Sequence, residues 1–330
     1  MRYFVTGATG FIGGHLARQL AAGGHHVVAL VREPARAADL AQLGIELAPG
    51  DVTDRESLRA PMRGADGVFH VAGWYKLGVR ESTAAALTNV QGTRNVLEVM
   101  RELSVPKGVY TSTVAVNSDT HGKLLDETYR SPGAPLSVYD QTKWRAHYEV
   151  AEPLMRQGLP LVIAMPGLTY GPGDTSPVHT ALVQYLQRKL PMVPLETAYS
   201  WGHVDDIARG HMLAMERGQV GERYIIAGPT HTLLEALEMA RDITGIPLPT
   251  RRASPGMLRA MARVMGVVGS VVPLPPDYSA EYLRVSAGVT YAGENAKARR
   301  ELGYDPRPLA DGLRETLLYE MGQLGMPLPA

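Results

Sequence analysis

The chain of 330 residues contains no cysteine. Disulfides, thiolate nucleophiles and cysteine-ligated zinc or iron–sulfur centres are thereby excluded. Net charge is missing as well: 33 Lys plus Arg balance 33 Asp plus Glu. A nucleic-acid partner is not expected, because the positive field that would attract one is absent. No stretch reaches about 18 apolar residues without a charge. The nearest, residues 257–272, is interrupted by Arg259 and Arg263 and reads as a lid or packed helix, with no membrane contact expected. The apolar run after Arg2 breaks into Thr and Gly too soon for a signal-peptide core, so the expected location is the cytoplasm. The ten His include no HExxH or HxxxH spacing, and no metal is expected. Asp205 and Asp206, after His203, read as a helix N-cap.

The composition present is ordinary for a globular protein, 45% hydrophobic and 20% charged. Short apolar runs at 2–6, 26–31, 45–48, 67–71, 107–111 and 161–165 alternate with helical patterns at 11–22, 35–43, 57–62, 81–103 and 137–157. Strands apolar on both faces, separated by helices, predict an α/β fold with a doubly wound parallel sheet. After Pro166 the pattern loosens and Pro and Gly become dense, as in PGLTYGPGDTSP and PLPPDY. The expected division is a dinucleotide-binding domain at 1–165 plus about 203–228, and a smaller substrate-binding lobe at 166–202 and 229–330.

The first strand runs into Gly7, Thr9, Gly10, Phe11, Ile12 and Gly13 and then a helix. Such a loop lets backbone approach a pyrophosphate and aims helix N–H groups at it. The end of the second strand selects the cofactor. Arg32 comes first after the apolar run and Arg36 a turn later, which favours the 2′-phosphate of NADP(H); Glu33 is the competing candidate, for NAD(H). Tyr139 and Lys143 stand at i and i+4 on one helix face, where an ammonium would make the phenol able to exchange a proton near neutral pH. The segment Thr111, Ser112, Thr113, Val114 ends a sheet strand and so faces the ligand crevice. Ser112 should point to the opposite face from Thr113. Trp74 and Tyr75 are expected as pocket walls, and Tyr170, Tyr199 and Trp201 are further candidates.

TGATGFIG (6–13), GDVTD (50–54), HVAG (70–73), NVQGT (89–93), YTST (110–113), YDQTK (139–143), PGLTYGPGD (166–174) and HVDDIA (203–208) occur in this order. With them the chain resembles the extended short-chain dehydrogenases/reductases. It is most similar to their dihydroflavonol-reductase-like branch, which also holds proteins named as hopanoid-associated sugar epimerases. The resemblance implies a Rossmann fold with Tyr139 as acid/base, Lys143 as its partner and a ribose ligand, Thr113 as the catalytic hydroxyl and Asn89 near the nicotinamide. It implies cofactor contacts from Asp51 and Val52 at the adenine, Val71, Ala72 and Gly73 along the ribose, Thr111 at the strand end, and Pro166, Gly167 and Leu168 at the carboxamide. Met165 stands where many sugar-nucleotide epimerases carry Arg. The expected function is NADPH-dependent reduction of a ketone or aldehyde. The alternatives are a nucleotide-sugar epimerase or dehydratase with tightly held NAD(P), and a non-catalytic NADP-sensing module. Leu87, Val90, Val96, Leu97 and Met100 give one helix more apolar surface than a single sheet contact needs, so a homodimer is expected.

Overall fold

The computed structural model describes residues 1–75, 82–131, 135–272 and 279–329. Glu81, where the fourth helix was expected to begin, and the Pro-rich stretch 273–278 lie outside them. Strands β1 (Arg2–Thr6), β2 (His26–Val31), β3 (Glu46–Pro49), β4 (Gly67–His70), β5 (Gly108–Thr111) and β6 (Leu161–Pro166) follow the apolar runs. Two short strands come next, β7 (Leu168–Tyr170) and β8 (Ala198–His203). After them β9 (Arg223–Ile226) returns to pair with β6. The resulting seven-stranded sheet has the order β9-β6-β5-β4-β1-β2-β3, and every pairing in it is parallel.

Alternation along each strand feeds two cores, one per face. Phe4, Val28, Val68, Tyr110 and Ile163 pack on one side. Tyr3, Val5, Ala29, Phe69, Val109 and Ala164 pack on the other. The order reverses beside β1, between β4 and β2, and that reversal opens a crevice at the carboxyl ends of the strands. Register aligns those ends: Thr6 lies opposite both Leu30 and His70, and His70 opposite Tyr110.

Helix α1 (Phe11–Ala22) has the expected bounds, and α2 (Arg55–Met62) is capped by the Asp54 carboxylate on the Glu56 N–H. The expected helix at 35–43 splits into a 3₁₀ turn at Pro34–Ala37 and a short helix at Ala38–Gln42. Two longer helices follow, α3 (82–102) and α4 (138–156), and each carries one π turn, at Leu87–Gly92 and Ala146–Ala151. Val90, Val96, Leu97 and Met100 of α3 are buried in the chain's own core. Only Leu87 of the five apolar residues invoked for a dimer stays exposed.

The second lobe has its own core, with Leu182, Tyr185, Leu237, Leu313 and Leu317 at its centre. Around it stand α5 (Pro177–Leu186), β10 (Thr230–Thr232), α7 (Leu233–Thr244), α8 (Pro255–Val271), α9 (Ala280–Val285), β11 (Thr290–Tyr291) and α10 (Leu309–Gln323), whereas α6 (Val204–Arg217) packs on α1 and puts Ile207, Ala208 and Met212 into the core on one face of the large sheet. No described helix is long and apolar enough to cross a membrane.

Candidate active site

One cleft of about 1030 Å³ runs from the glycine loop across the strand ends into the second lobe. At its floor Gly7 has φ 79°. A Cβ there would lie 2.6 Å from the Ala72 nitrogen, and a Cβ on Gly13 would lie 2.1 Å from the Gly7 oxygen. The turn therefore closes only with hydrogen at both positions. Gly10 caps α1 without a side-chain bond, and no acid stands in its first turn. The first-turn N–H groups are thus left facing the cleft, as an anion site requires. Thr9, Gly10, Phe11 and Ile12 form the adjoining wall. The cleft and its cradle fit a dinucleotide by size and by chemistry.

Arg32 lies on the wall where β2 ends, and among the described residues it has no carboxylate partner. Arg36 is a correction. Its side chain is exposed, pairs with Glu33 at 3.4 Å and does not line the cleft, because the 3₁₀ turn at Pro34–Ala37 points it outward. Asp51 and Val52 stand on the wall, with the Asp51 carboxylate accepting the Thr53 N–H at 2.8 Å. Val71, Ala72, Gly73, Thr111, Pro166, Gly167 and Leu168 continue it. The Thr111 hydroxyl turns away to the buried His211 ring at 2.9 Å, so this residue offers the cleft its backbone only.

Ser137 caps α4 by accepting the Asp140 N–H at 3.0 Å, which sets Tyr139 and Lys143 on the face toward the cleft. Thr113 and Tyr139 both stand on the cleft wall. The Thr113 side-chain oxygen accepts the Ala115 N–H at 3.2 Å. Ser112 points the other way, to His147 at 2.7 Å. Lys143 donates to the Thr111 carbonyl at 2.6 Å and sits over the Tyr110 ring. Burial pulls Lys143 down to about 7. Burial also holds the Tyr139 phenol well above its ordinary value; the neighbouring Thr113 hydroxyl lowers it and Asp140 raises it. The Lys143 side chain is engaged by a carbonyl, and Tyr139 rests as a neutral phenol.

Asn89 is a second correction. It is buried and does not line the cleft. Its oxygen accepts the Trp74 N–H at 2.7 Å, and its amide donates to the Trp74 carbonyl at 3.0 Å. Asn89 is therefore a positioning residue for the wall. Trp74, Tyr75 and Val114 do line the cleft, and the Tyr75 ring stands edge-on to Tyr139 at 4.8 Å. Tyr170 and Trp201 do not. Both are buried in the core of the second lobe, packed edge to face, with the Trp201 indole donating to the His231 carbonyl at 2.9 Å.

Tyr199, a candidate from the sequence, does line the cleft, and Tyr291 joins it there without having been singled out. Tyr199 and Tyr291 stack with their rings 3° from parallel, and the Tyr291 hydroxyl donates to Asp140 at 3.1 Å. Burial pushes Asp140 up to about 6. Leu258, Met261, Leu283 and Val285 complete the far wall. They come from a part of the chain with no motif, and only their apolarity marked them. Asp205 and Asp206 are not the α6 cap. His203 is, and the two carboxylates pair instead with His15 at 2.6 Å and Arg307 at 2.9 Å.

Glycine loop, parallel sheet and Tyr–Lys helix define an NAD(P)-dependent oxidoreductase of the extended short-chain type. The model of the NAD dependent epimerase/dehydratase family matches residues 3–227, and the chain belongs to that family. It is 33% identical to a Synechocystis sp. protein named provisionally as a dihydroflavonol 4-reductase, over 96% of this chain and 93% of the relative. It is 31% identical to a farnesyl-dihydroquinoline-oxide ketoreductase of Stigmatella aurantiaca, over 93% of this chain and 92% of the relative. Among solved structures it is similar to gox2253, with a TM-score of 0.85 and 33% identity over 98% of this chain and 99% of that one.

Proposed function

We propose that the protein reduces an uncharged, apolar ketone or aldehyde with NADPH. One observation carries this reading. Among the described residues lining the cleft the only cations are Arg32, Lys143 and Lys189. Arg32 lies at the far end of the dinucleotide half, Lys143 is held by the Thr111 carbonyl, and Lys189 is exposed. The substrate half is walled by Trp74, Tyr75, Tyr199, Leu258, Met261 and Leu283. A nucleoside diphosphate would bring two phosphates into that half, where the described wall offers Lys189 and no guanidinium. Met165, buried in the sheet, supplies none.

Arg32 would hold the 2′-phosphate, the loop from Gly7 to Gly13 the pyrophosphate, Asp51 and Val52 the adenine end, and Lys143 the ribose. The dinucleotide, when bound, supplies the hydride. Thr113 and Tyr139, both on the cleft wall, would present two hydroxyls to the carbonyl oxygen. Tyr139, neutral at rest, gives its proton to that oxygen as charge builds on it, and the apolar walls keep competing water away. A ketone reductase in the curated relatives supports the same chemistry. The cytoplasm and a homodimer paired along α3 and α4 belong to this reading, the dimer supported in the structure by Leu87 alone; light scattering tests it.

Oxidation of NADPH is followed at its absorbance band with a panel of aryl and long-chain ketones, alongside UDP- and dTDP-sugars. Turnover of the ketones with silence on the sugars is expected. Epimerisation or dehydration of a sugar nucleotide without net NADPH oxidation overturns the reading, and binding of NADPH with no turnover of either class makes the chain a sensor.

A further inference from the structure

Away from the cleft, His203 at the end of β8 leaves a ring nitrogen unsatisfied. The residue is 1% exposed, and its Nε2 is buried with no hydrogen-bond partner. The Asp205 N–H donates to Nδ1 over a long 3.4 Å. Burial, with the Arg307 charge second, holds the ring below its ordinary pKa, so it is neutral at pH 7. A neutral imidazole carries one proton and one lone pair. With the proton on Nδ1, toward the Asp205 carboxylate at 3.8 Å, the Nε2 lone pair faces the Glu315 carboxylate at 3.7 Å and has nothing to accept.

The surroundings are short of positive charge. Arg307 donates from Nε and Nη2 to Asp206 at 2.9 and 3.0 Å, and from Nη1 to one Glu315 oxygen at 2.7 Å. Asp205 places Oδ1 on His15 at 2.6 Å. Asp205 Oδ2 and Glu315 Oε1 receive no hydrogen bond from the described residues. Asp205, Asp206 and Glu315 thus set three carboxylates against the one guanidinium of Arg307, a double negative excess among these four side chains. The Asp205 and Glu315 side chains are 37% and 48% exposed, so the cluster is open to solvent on one side.

One ligand atom from each of His203, Asp205 and Glu315 lies within 4.8 Å of the other two. Three such atoms share a point no farther than 4.8/√3, about 2.8 Å, from each. Shifts of roughly 0.7 Å would bring them to the 2.0–2.2 Å of a bound zinc ion. One imidazole nitrogen and two carboxylate oxygens, with a side open to water, make a three-ligand zinc set. We propose that His203, Asp205 and Glu315 bind a divalent cation of the zinc class, with water in the fourth position. The spacing of histidines could not reveal it, because Glu315 follows His203 by more than a hundred residues. The ion joins the start of α6, which packs on α1, to α10 in the second lobe. It is a clamp between the two lobes and does not depend on the reaction in the cleft.

The test uses the full chain, freed of metal with a chelator and titrated with Co²⁺ and Zn²⁺ in the absence of any dinucleotide. Co²⁺ should develop visible d–d absorption, and Zn²⁺ should abolish it by displacement. Saturating Zn²⁺ should raise the melting temperature by roughly 3–5 °C. E315Q and D205N should each weaken Zn²⁺ binding tenfold or more, since even a residue that merely orients a metal ligand is worth that much. H203N keeps an oxygen able to accept the Asp205 N–H but has no imidazole, and should lose the Co²⁺ band. An unchanged circular-dichroism spectrum in chelator shows that each variant is folded, and the exposed Glu315 makes E315Q the variant least able to disturb the fold. Absence of both the Co²⁺ band and the thermal shift in the wild type overturns the proposal and leaves the cluster an ion-pair network. A shift of equal size in all three variants overturns it too, and places the ion at other histidines.

Discussion

Asn89 donates its side-chain amide to the Thr142 hydroxyl at 2.9 Å while both ends of the same amide hold the Trp74 backbone. One buried side chain thus fixes the spacing between the helix that carries Tyr139 and Lys143 and the loop that carries the aromatic wall. Replacing it with Ala leaves the Trp74 N–H and carbonyl without partners, at about 1–3 kcal/mol. Asn89→Ala should raise the substrate KM and lower kcat while NADPH affinity stays within about threefold, since the group never touches the cleft. Asn89→Ser, able to keep one bond, should restore part of the loss. Steady-state kinetics beside a cofactor titration separate this from general unfolding, which would weaken both together.

Tyr139→Phe removes the proton donor and little else, because the ring keeps its edge contact with Tyr75. Turnover should fall about 10²–10⁴-fold, the usual contribution of a positioned general acid. The melting temperature and the NADPH affinity should hardly move. Activity within a few-fold of wild type would show that the proton comes from elsewhere, with Thr113 the next residue to examine.

Much of this was legible in the sequence, for a physical reason. The parallel sheet is buried on both faces, so its strands are short apolar runs bounded by turn residues, and five of the six early strands start or end at the expected residue. The glycine loop is equally legible, since only glycine fits beside Ala72 and Gly7. Arg36, Asn89, Tyr170 and Trp201 were misplaced because position along the chain says that a residue is near the crevice, whereas the direction of its side chain is set by local turn geometry for Arg36, by hydrogen bonds for Asn89 and by packing in the other lobe for Tyr170 and Trp201. Tyr170 and Trp201 turn into the core under α10, and the wall is made instead by Leu258, Met261 and Leu283 from the motif-free part. The α3 surface failed likewise: its apolar excess meets α4 and the sheet of its own chain.

His70 sits fully buried between the Thr6 and Thr93 hydroxyls, at 2.8 and 2.9 Å. Burial, helped by the nearby Lys143, holds it down at about 3. A group depressed in the folded state stabilises the fold fully above its unfolded value, near 6.5, and the contribution is lost as pH falls through about 3. His70 alone should account for roughly 5 kcal/mol of acid sensitivity across that window. Urea unfolding at neutral pH and near pH 4 measures it. His70→Gln should show a shallower loss than wild type, with the remaining slope carried in part by His211, which burial lowers to about 4. Equal slopes in the two proteins would mean that His70 is protonated in the fold.

On the proposed reading, Arg32 sets the preference between the two dinucleotides. It stands on the cleft wall at the end of β2, and Glu33, the residue that would have favoured NADH, is turned to Arg36. A guanidinium without a carboxylate partner can give its donors to a 2′-phosphate, and a charged hydrogen bond of that kind contributes about 1.5–3 kcal/mol. NADPH should therefore bind roughly 10–100-fold more tightly than NADH. Arg32→Asp replaces the cation with a carboxylate, which repels the 2′-phosphate and can accept from a ribose 2′-hydroxyl, so the preference should vanish or reverse. Arg36→Asp should leave it within about threefold, because that side chain is exposed and does not reach the wall. Fluorescence titration of both cofactors with the three proteins decides the matter. Equal affinities in the wild type would remove Arg32 from the site. A loss of preference in Arg36→Asp equal to that in Arg32→Asp would mean that the loop after β2 closes on the cofactor and brings both arginines to it.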